Sequence, residues 1–210
     1  MELARASFYK WRCETSFEYK LALALTFALF TGICAQIRIP LPWTPVPVTM
    51  QTFAVFASAI LLGKNWGGIS QGLYVSLGAL GIPWFSGFKG GIAVLSGATG
   101  GYLIGFVLAS LFVGYFIDRY IVSRFFLTLL PLLFIANFGI IHVSGCIWLY
   151  YWLSLTGQSF GILEVLMMGS FPFIPGDVAK IVAISAFGKI VTPKVAYNGE
   201  VDAENRYRLF

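Results

Sequence analysis

Apolar residues run through this chain in blocks much longer than the stripes of a soluble fold, and short clusters of proline, glycine and charge separate them. Each block is expected to form a helix that is apolar on all sides, a state that is stable where the surrounding medium is lipid. A hydrocarbon core about 30 Å thick takes roughly 20 helical residues, fewer where loops or neighbours cover the ends. On that scale the pattern predicts six spans, at 21–37, 49–62, 66–80, 98–117, within 125–155, and 177–187. The first stays in the mature chain on this reading, since no small-residue cleavage site follows it. The fifth block is longer than a bilayer is thick, so it is expected to tilt, to kink near Pro131 or Gly139, or to project beyond the membrane. Segment 160–168 is too brief to span and reads as a short interfacial helix, while the glycine-rich stretch 81–97 reads as a long loop. The expected organisation is a cytoplasmic segment 1–20, a six-helix domain 21–189 and a polar tail 190–210 lying in water without fixed order. The fold class is all-α, a polytopic integral membrane protein.

Composition sharpens this picture. Hydrophobic residues make up 58% of the chain and charged residues 11%, against about a quarter charged in ordinary soluble domains, which excludes a soluble enzyme. The net charge of +5 raises the question of nucleic acid, but the basic residues fall beside the apolar blocks, where they act as membrane-flank anchors. Arg5, Lys10, Arg12, Lys20, Lys64, Arg119, Arg124, Lys189 and Lys194 collect on one side of the six spans, and only Arg38 and Lys89 on the other. The positive-inside rule then places both termini in the cytoplasm, and it brings the loops 38–48, 81–97 and 156–173 together on the outer face. Cys13, Cys34 and Cys146 are odd in number and lack CxxC spacing, so neither a disulfide framework nor a zinc site is expected.

Few ionisable residues remain at membrane depth. Asp177 and Lys180 are three apart, which puts them on one helix face near the outer end of the sixth span. Such charges are costly in lipid and usually face the bundle interior, pair with each other and line a substrate path. Two readings stand: an ion pair that pins the helix start, with Asp177 as its cap, or a polar anchor offering one carboxylate and one ammonium to a small ligand with N–H and C=O groups. Trp43, Trp84, Phe85, Phe88 and Tyr102 lie in or beside the outer loops, as an interfacial belt or as walls of an apolar pocket. Glycines between Gly87 and Gly101, including Gly90 and Gly91, allow close backbone approach to a ligand, but the GxxxxGK[ST] order of a phosphate loop is missing. Gly101-x-x-x-Gly105 is read as a helix-packing face. His142, the sole histidine, is read as a packed polar residue, and no GxSxG serine or acid–base carboxylate pair suggests catalysis. Ala24-x-x-x-Ala28 forms a smooth stripe on the first helix that serves either internal packing or docking to a partner membrane protein.

Three segments then carry a resemblance: Gln36-Ile-Arg-Ile-Pro-Leu-Pro-Trp-Thr-Pro-Val-Pro-Val-Thr-Met-Gln-Thr-Phe53, Ser96-Gly-Ala-Thr-Gly-Gly-Tyr-Leu-Ile-Gly-Phe106 and Phe173-Ile-Pro-Gly-Asp-Val-Ala-Lys180. In this order and at these intervals they resemble the motifs of the BioY family, the biotin-capturing S components of energy-coupling factor (ECF) transporters. The resemblance spans most of 21–189, with Ala98 standing where the family pattern has proline. It implies a six-helix S-component bundle that holds biotin near the outer surface. It also implies that Asp177 and Lys180 contact the ligand and that Ala24 and Ala28 meet a transmembrane coupling subunit. Gln51, Trp43, Trp84 and Tyr102 are expected around the pocket. Lys89, Arg38 or the loop amides of Gly90 and Gly91 are alternatives for the biotin carboxylate, and Lys89 or Ser96 for a polar contact before the fourth helix. No cofactor is expected on this chain; biotin is the substrate, and ATP is used by a partner ATPase pair in a prokaryotic cell membrane. The alternatives are a solitary biotin carrier, an S component for another vitamin, and an intramembrane assembly protein.

Overall fold

Every long apolar block of the sequence becomes a helix, and the breakers between the blocks become the turns. The structure, a computed structural model, describes residues 1–157 and 160–204. An N-terminal helix α1 (Glu2–Glu14) precedes α2 (Phe17–Gln36), which leads into a two-stranded antiparallel hairpin, β1 (Arg38–Ile39) on β2 (Val48–Thr49). Helix α3 (Gln51–Ala79) bends back on itself at Gly63, whose φ of +76° and ψ of −169° suit glycine alone. Its two arms lie side by side: Gln51 reaches Tyr74 (Nε2 to OH, 2.8 Å) and Ser58 meets Gln71 (Oγ to Nε2, 3.0 Å). The arms correspond to the second and third expected spans. A single turn α4 (Ile92–Leu95) is followed by α5 (Gly100–Arg119).

A 3-10 turn at Val122–Arg124 leads into a continuous helical rod over Phe126–Leu155, made of α6 (Phe126–Phe134), a π-helical stretch Ile135–His142 and α7 (Val143–Leu155). The fifth span therefore departs from α-geometry just after Pro131, over a stretch that contains Gly139, by widening its turn rather than breaking. Helix α8 (Ile162–Gly169) is the short helix expected at 160–168, and α9 (Ile174–Val191) is the last long one. Among the described residues, four stretches are long and apolar enough to cross a membrane: Phe17–Gln36, Gly100–Arg119, Phe126–Leu155 and Ile162–Val191. With the two arms of α3 they make up the six-helix bundle.

Helix α5 lies at the centre, packed on both arms of α3 and on the rod. The approach is closest at Gly101 and Gly105, where an added Cβ would lie 2.4 Å from the Ser144 carbonyl oxygen and 2.9 Å from Ile141 Cα. Gly101-x-x-x-Gly105 is thus a packing face, as expected. Ala24 and Ala28 are fully buried, with α2 lying along α3. Of the two readings of that stripe, packing within the chain is the one that the burial of its small side chains supports.

The polar tail is corrected over its described part. Glu200 pairs with Arg124 at 2.6 Å with both side chains buried, and Lys194 Nζ donates to the Arg124 carbonyl and to Thr192 Oγ1. Tyr197 is tied to Arg12 (Nη2 to OH, 2.8 Å), and Arg12 itself pairs with Asp118. Sequence periodicity does not register such an element, because isolated charges and one aromatic ring hold it rather than an apolar stripe. Residues 205–210 of the expected tail, and 158–159 of the loop before α8, lie outside the described residues.

Candidate functional site

At the end of the bundle away from the chain termini, the β1–β2 hairpin, the loop after α3 and the α4 region roof a cavity of about 640 Å³. That volume is in the range of small-molecule sites. Its walls are mainly apolar, with Leu41, Val46, Leu103, Phe106, Trp152 and Phe173 among them, and its floor carries Asp177 and Lys180 from the first turns of α9. Pro175 near the start of α9 supplies a preset φ, and the chain then presents Asp177 and Lys180 one turn apart on the inward face.

The floor is more elaborate than an ion pair. Lys180 Nζ lies 2.6 Å from Asp177 Oδ1 and donates to the Thr49 carbonyl at 2.8 Å, which ties α9 to the hairpin. Asp177 Oδ2 is 2.7 Å from His142 Nε2 and accepts from Asn137 Nδ2 at 3.0 Å. His142 Nδ1 in turn lies 2.9 Å from Ser170 Oγ. A carboxylate oxygen offers two lone pairs, and an ammonium has three protons. Oδ2 is therefore filled by protein donors, whereas Oδ1 keeps one lone pair and Lys180 keeps one N–H. One acceptor beside one donor is what the floor has left to offer a ligand.

Asn137 and His142 both reach Oδ2 because of the π-helical stretch. At 100° per residue, positions five apart on an α-helix are roughly 140° apart around the axis; the wider turn of Ile135–His142 brings them onto a common face. The stretch turns Asn137 and His142 into the bundle, where both are buried, while Ile135 and Gly139 stay exposed on its other side.

Gln36 organises the rim. Its amide nitrogen donates to the carbonyls of Trp84 and Phe85 (3.1 Å each), and its oxygen accepts the Phe88 N–H at 3.0 Å. Phe85 and Lys89 pair back to back, and Arg38 lies over Gly87, where a Cβ would come 2.8 Å from Nη1. Arg38 and Lys89 thus stand on the same exposed rim above the buried floor. Tyr102 lines the wall and donates to the Gly169 carbonyl at 2.6 Å, and Gln51 lines it beside Thr49 and Thr52.

Of the residues expected at the site, Asp177, Lys180, Lys89, Gly90, Tyr102 and Gln51 line the cavity, as does Arg38. Four do not, and are corrected. Trp84 turns its indole N–H to the Tyr74 carbonyl (2.9 Å) and braces the loop from behind. Gly91 is occupied by a backbone bond to Gly78 (2.8 Å), and Ser96 bonds back to the Ile92 carbonyl (3.2 Å) on the outside. Trp43 sits at the hairpin tip over a shallow hollow formed by Phe160, Leu163 and Met167 of the α8 region. Sequence reasoning missed Asn137 and the part played by His142. The signal for His142 was present, since an imidazole at membrane depth needs a partner; nothing in the local pattern announced Asn137 or the widened turn.

The family model described as the BioY family matches residues 11–197. The chain is 49% identical over 148 residues to the probable biotin transporter BioY of Methanothermobacter thermautotrophicus, covering 70% of this chain and 94% of that one. It is 38% identical over 169 residues to the biotin transporter BioY of Thermotoga maritima, covering 78% and 89%. In fold it is similar to a crystal structure of the S-component for biotin from an ECF-type ABC transporter. That match has a TM-score of 0.74 at 24% identity, over 84% of this chain and 94% of the other.

Proposed function

This chain belongs to the BioY family, and on that premise we propose that it is the biotin-binding membrane subunit of a vitamin uptake system. The observation that carries the reading is the floor of the cavity, where one free acceptor position on Asp177 Oδ1 adjoins one free N–H on Lys180. A cyclic urea presents the complement along one edge, an N–H beside a C=O. The thiophane ring and aliphatic tail of biotin suit the apolar walls, and its carboxylate suits the rim cations Arg38 and Lys89. Burying the neutral head while leaving the anionic tail at an exposed rim avoids desolvating a carboxylate, which is the costlier group to bury.

Transport is a task for which this chain carries capture but no phosphate loop. Biotin enters past the β1–β2 hairpin, and the Lys180–Thr49 link couples floor and hairpin, so that a guest engaging Lys180 also acts on the hairpin. Release inward then draws energy from a transmembrane coupling subunit and an ATPase pair, the assembly that the S-component fold supports. The distribution of Lys and Arg supports a cell membrane orientation with both termini in the cytoplasm.

Equilibrium binding of biotin to the purified chain tests the reading. Saturable binding is expected, weakened about a hundredfold or more in Asp177→Ala and in Lys180→Ala, since each change leaves the other charge unpaired and removes a ligand contact. Absence of biotin binding by the wild type, or unchanged affinity in both variants shown to be folded, would overturn it.

A further inference from the structure

Resting on the biotin reading of this floor, we propose that His142 and Asn137 are positioning residues that set its selectivity: they occupy Asp177 Oδ2, so that the carboxylate reads a single N–H and rejects a guanidinium. An unencumbered carboxylate takes up an amidinium or guanidinium by both oxygens at once, in a bidentate pair stronger than any contact with a neutral urea. Here that mode is blocked. Oδ2 has His142 Nε2 at 2.7 Å and Asn137 Nδ2 at 3.0 Å, which fills its lone pairs, and Oδ1 already holds Lys180 at 2.6 Å. A cationic ligand edge would also face the Lys180 ammonium, which needs an acceptor that a guanidinium lacks.

The imidazole is held in place for this task. Ser170 Oγ stands 2.9 Å from Nδ1 and sets the ring rotation, so that Nε2–H is aimed at Asp177 Oδ2, which can only accept. Phe138, Phe173 and Tyr102 surround the ring at centroid distances of 4.9, 6.0 and 6.3 Å. Asn137 is fully buried and directs its amide nitrogen at the same oxygen. Neither residue lies in the segments that resemble the family motifs.

The test compares biotin with 2-iminobiotin, in which a guanidinium replaces the urea of the same bicycle at neutral pH. The wild type is expected to favour biotin strongly. In His142→Leu and in Asn137→Leu, an Oδ2 lone pair is released, and the preference for biotin over 2-iminobiotin is expected to fall about tenfold or more. His142→Gln, whose amide nitrogen reaches the place of Nε2, is expected to restore the preference to within about threefold of wild type. A role confined to packing would weaken both ligands alike and leave their ratio where it was. A wild type that binds biotin, together with folded Leu variants whose ratio is unchanged, overturns this inference alone; a wild type that does not bind biotin overturns the function as well. If His142→Leu fails to fold, Asn137→Leu carries the test, and failure of His142→Gln to restore the ratio also counts against the assignment.

Discussion

The two ends of the bundle use the same ingredients, buried opposite charges beside aromatic rings, for different ends. At the termini end Arg124 is fully buried and spends its donors on the Ile117 carbonyl (2.9 Å), the Pro193 and Val195 carbonyls (3.3 Å each) and Glu200 (2.6 Å), over the ring of Tyr197. Glu200 accepts the Tyr197 and Asn198 N–H groups as well (3.0 Å each). At the lid end Asp177 and Lys180 are almost as deeply buried, but one lone pair and one N–H remain unspent and face a cavity. A buried ion pair is therefore weak evidence of a binding site by itself. Unspent hydrogen-bonding capacity facing a cavity is the distinguishing feature. The first arrangement gathers α1, α5, the α6 approach and the C-terminal segment into one clasp, and the second leaves room for a guest.

The sharpest way to break this comparison is to remove one charge from each end. Arg124→Ala is expected to destabilise the protein by about 3–5 kcal/mol, because Glu200 is left buried without a counter-charge, while biotin affinity of the folded protein stays within about twofold. Thermal unfolding in detergent, alongside binding, reads both. Asp177→Ala should show the reverse: affinity collapses and the stabilisation by saturating biotin, about 4 kcal/mol at a thousand times Kd, disappears. Its cost to the unliganded fold should be below that of Arg124→Ala, since Lys180 borders a cavity that water can enter. If both variants lose stability equally and binding survives in both, the distinction between clasp and site fails.

A smaller effect is expected at the turn of α3. An alanine at Gly63 would have to hold a conformation that side-chain-bearing residues avoid, and its Cβ would meet the Asp118 carboxylate at 2.3 Å. Gly63→Ala should cost about 1–3 kcal/mol and disturb the Arg12–Asp118 contact without altering ligand preference. The smallest effect is a pH slope. Burial, opposed by Glu2 and aided by the nearby Arg124, Arg5 and Lys189, pushes Lys194 down from 10.5 to about 7. The folded state therefore sheds this proton near pH 7, whereas the unfolded chain keeps it until about 10.5. In that window the unfolded state binds more protons, so stability rises with pH, by at most about 1.4 kcal/mol per unit. Tyr9 and Tyr197, whose hydroxyls burial pushes up, act only above pH 10, in the opposite sense. Unfolding temperatures between pH 7.5 and 9.5 should rise in the wild type and flatten in Lys194→Met.

Much of the bundle can be read from local pattern. Apolar block length and the breakers Pro40, Gly63 and Pro175 locate the six spans within a few residues, and the spacing of Asp177 and Lys180 already places both charges on one face. The outer loops were less legible. Trp43 and Trp84 carry the same residue type and occupy similar loops, yet one sits over α8 and the other braces α3, because their direction depends on what lies behind each loop. The stripe of Ala24 and Ala28 suited an internal or an external neighbour equally, and only the position of α3 shows the internal one.

The sequence by itself determined that this chain is a bundle of lipid-solvated helices with one pair of charges at depth. Transfer of apolar surface out of water and the need to satisfy backbone bonds inside each segment are local requirements that composition and length already answer. Tertiary structure alone decided which charges remain open. The remaining valences of Asp177 depend on Asn137 and His142 arriving from another helix through a widened turn, and those of Arg124 on a C-terminal segment folding back across the bundle. Saturation of a hydrogen-bonding group is a count over neighbours that are distant in the chain, and no window of sequence contains it.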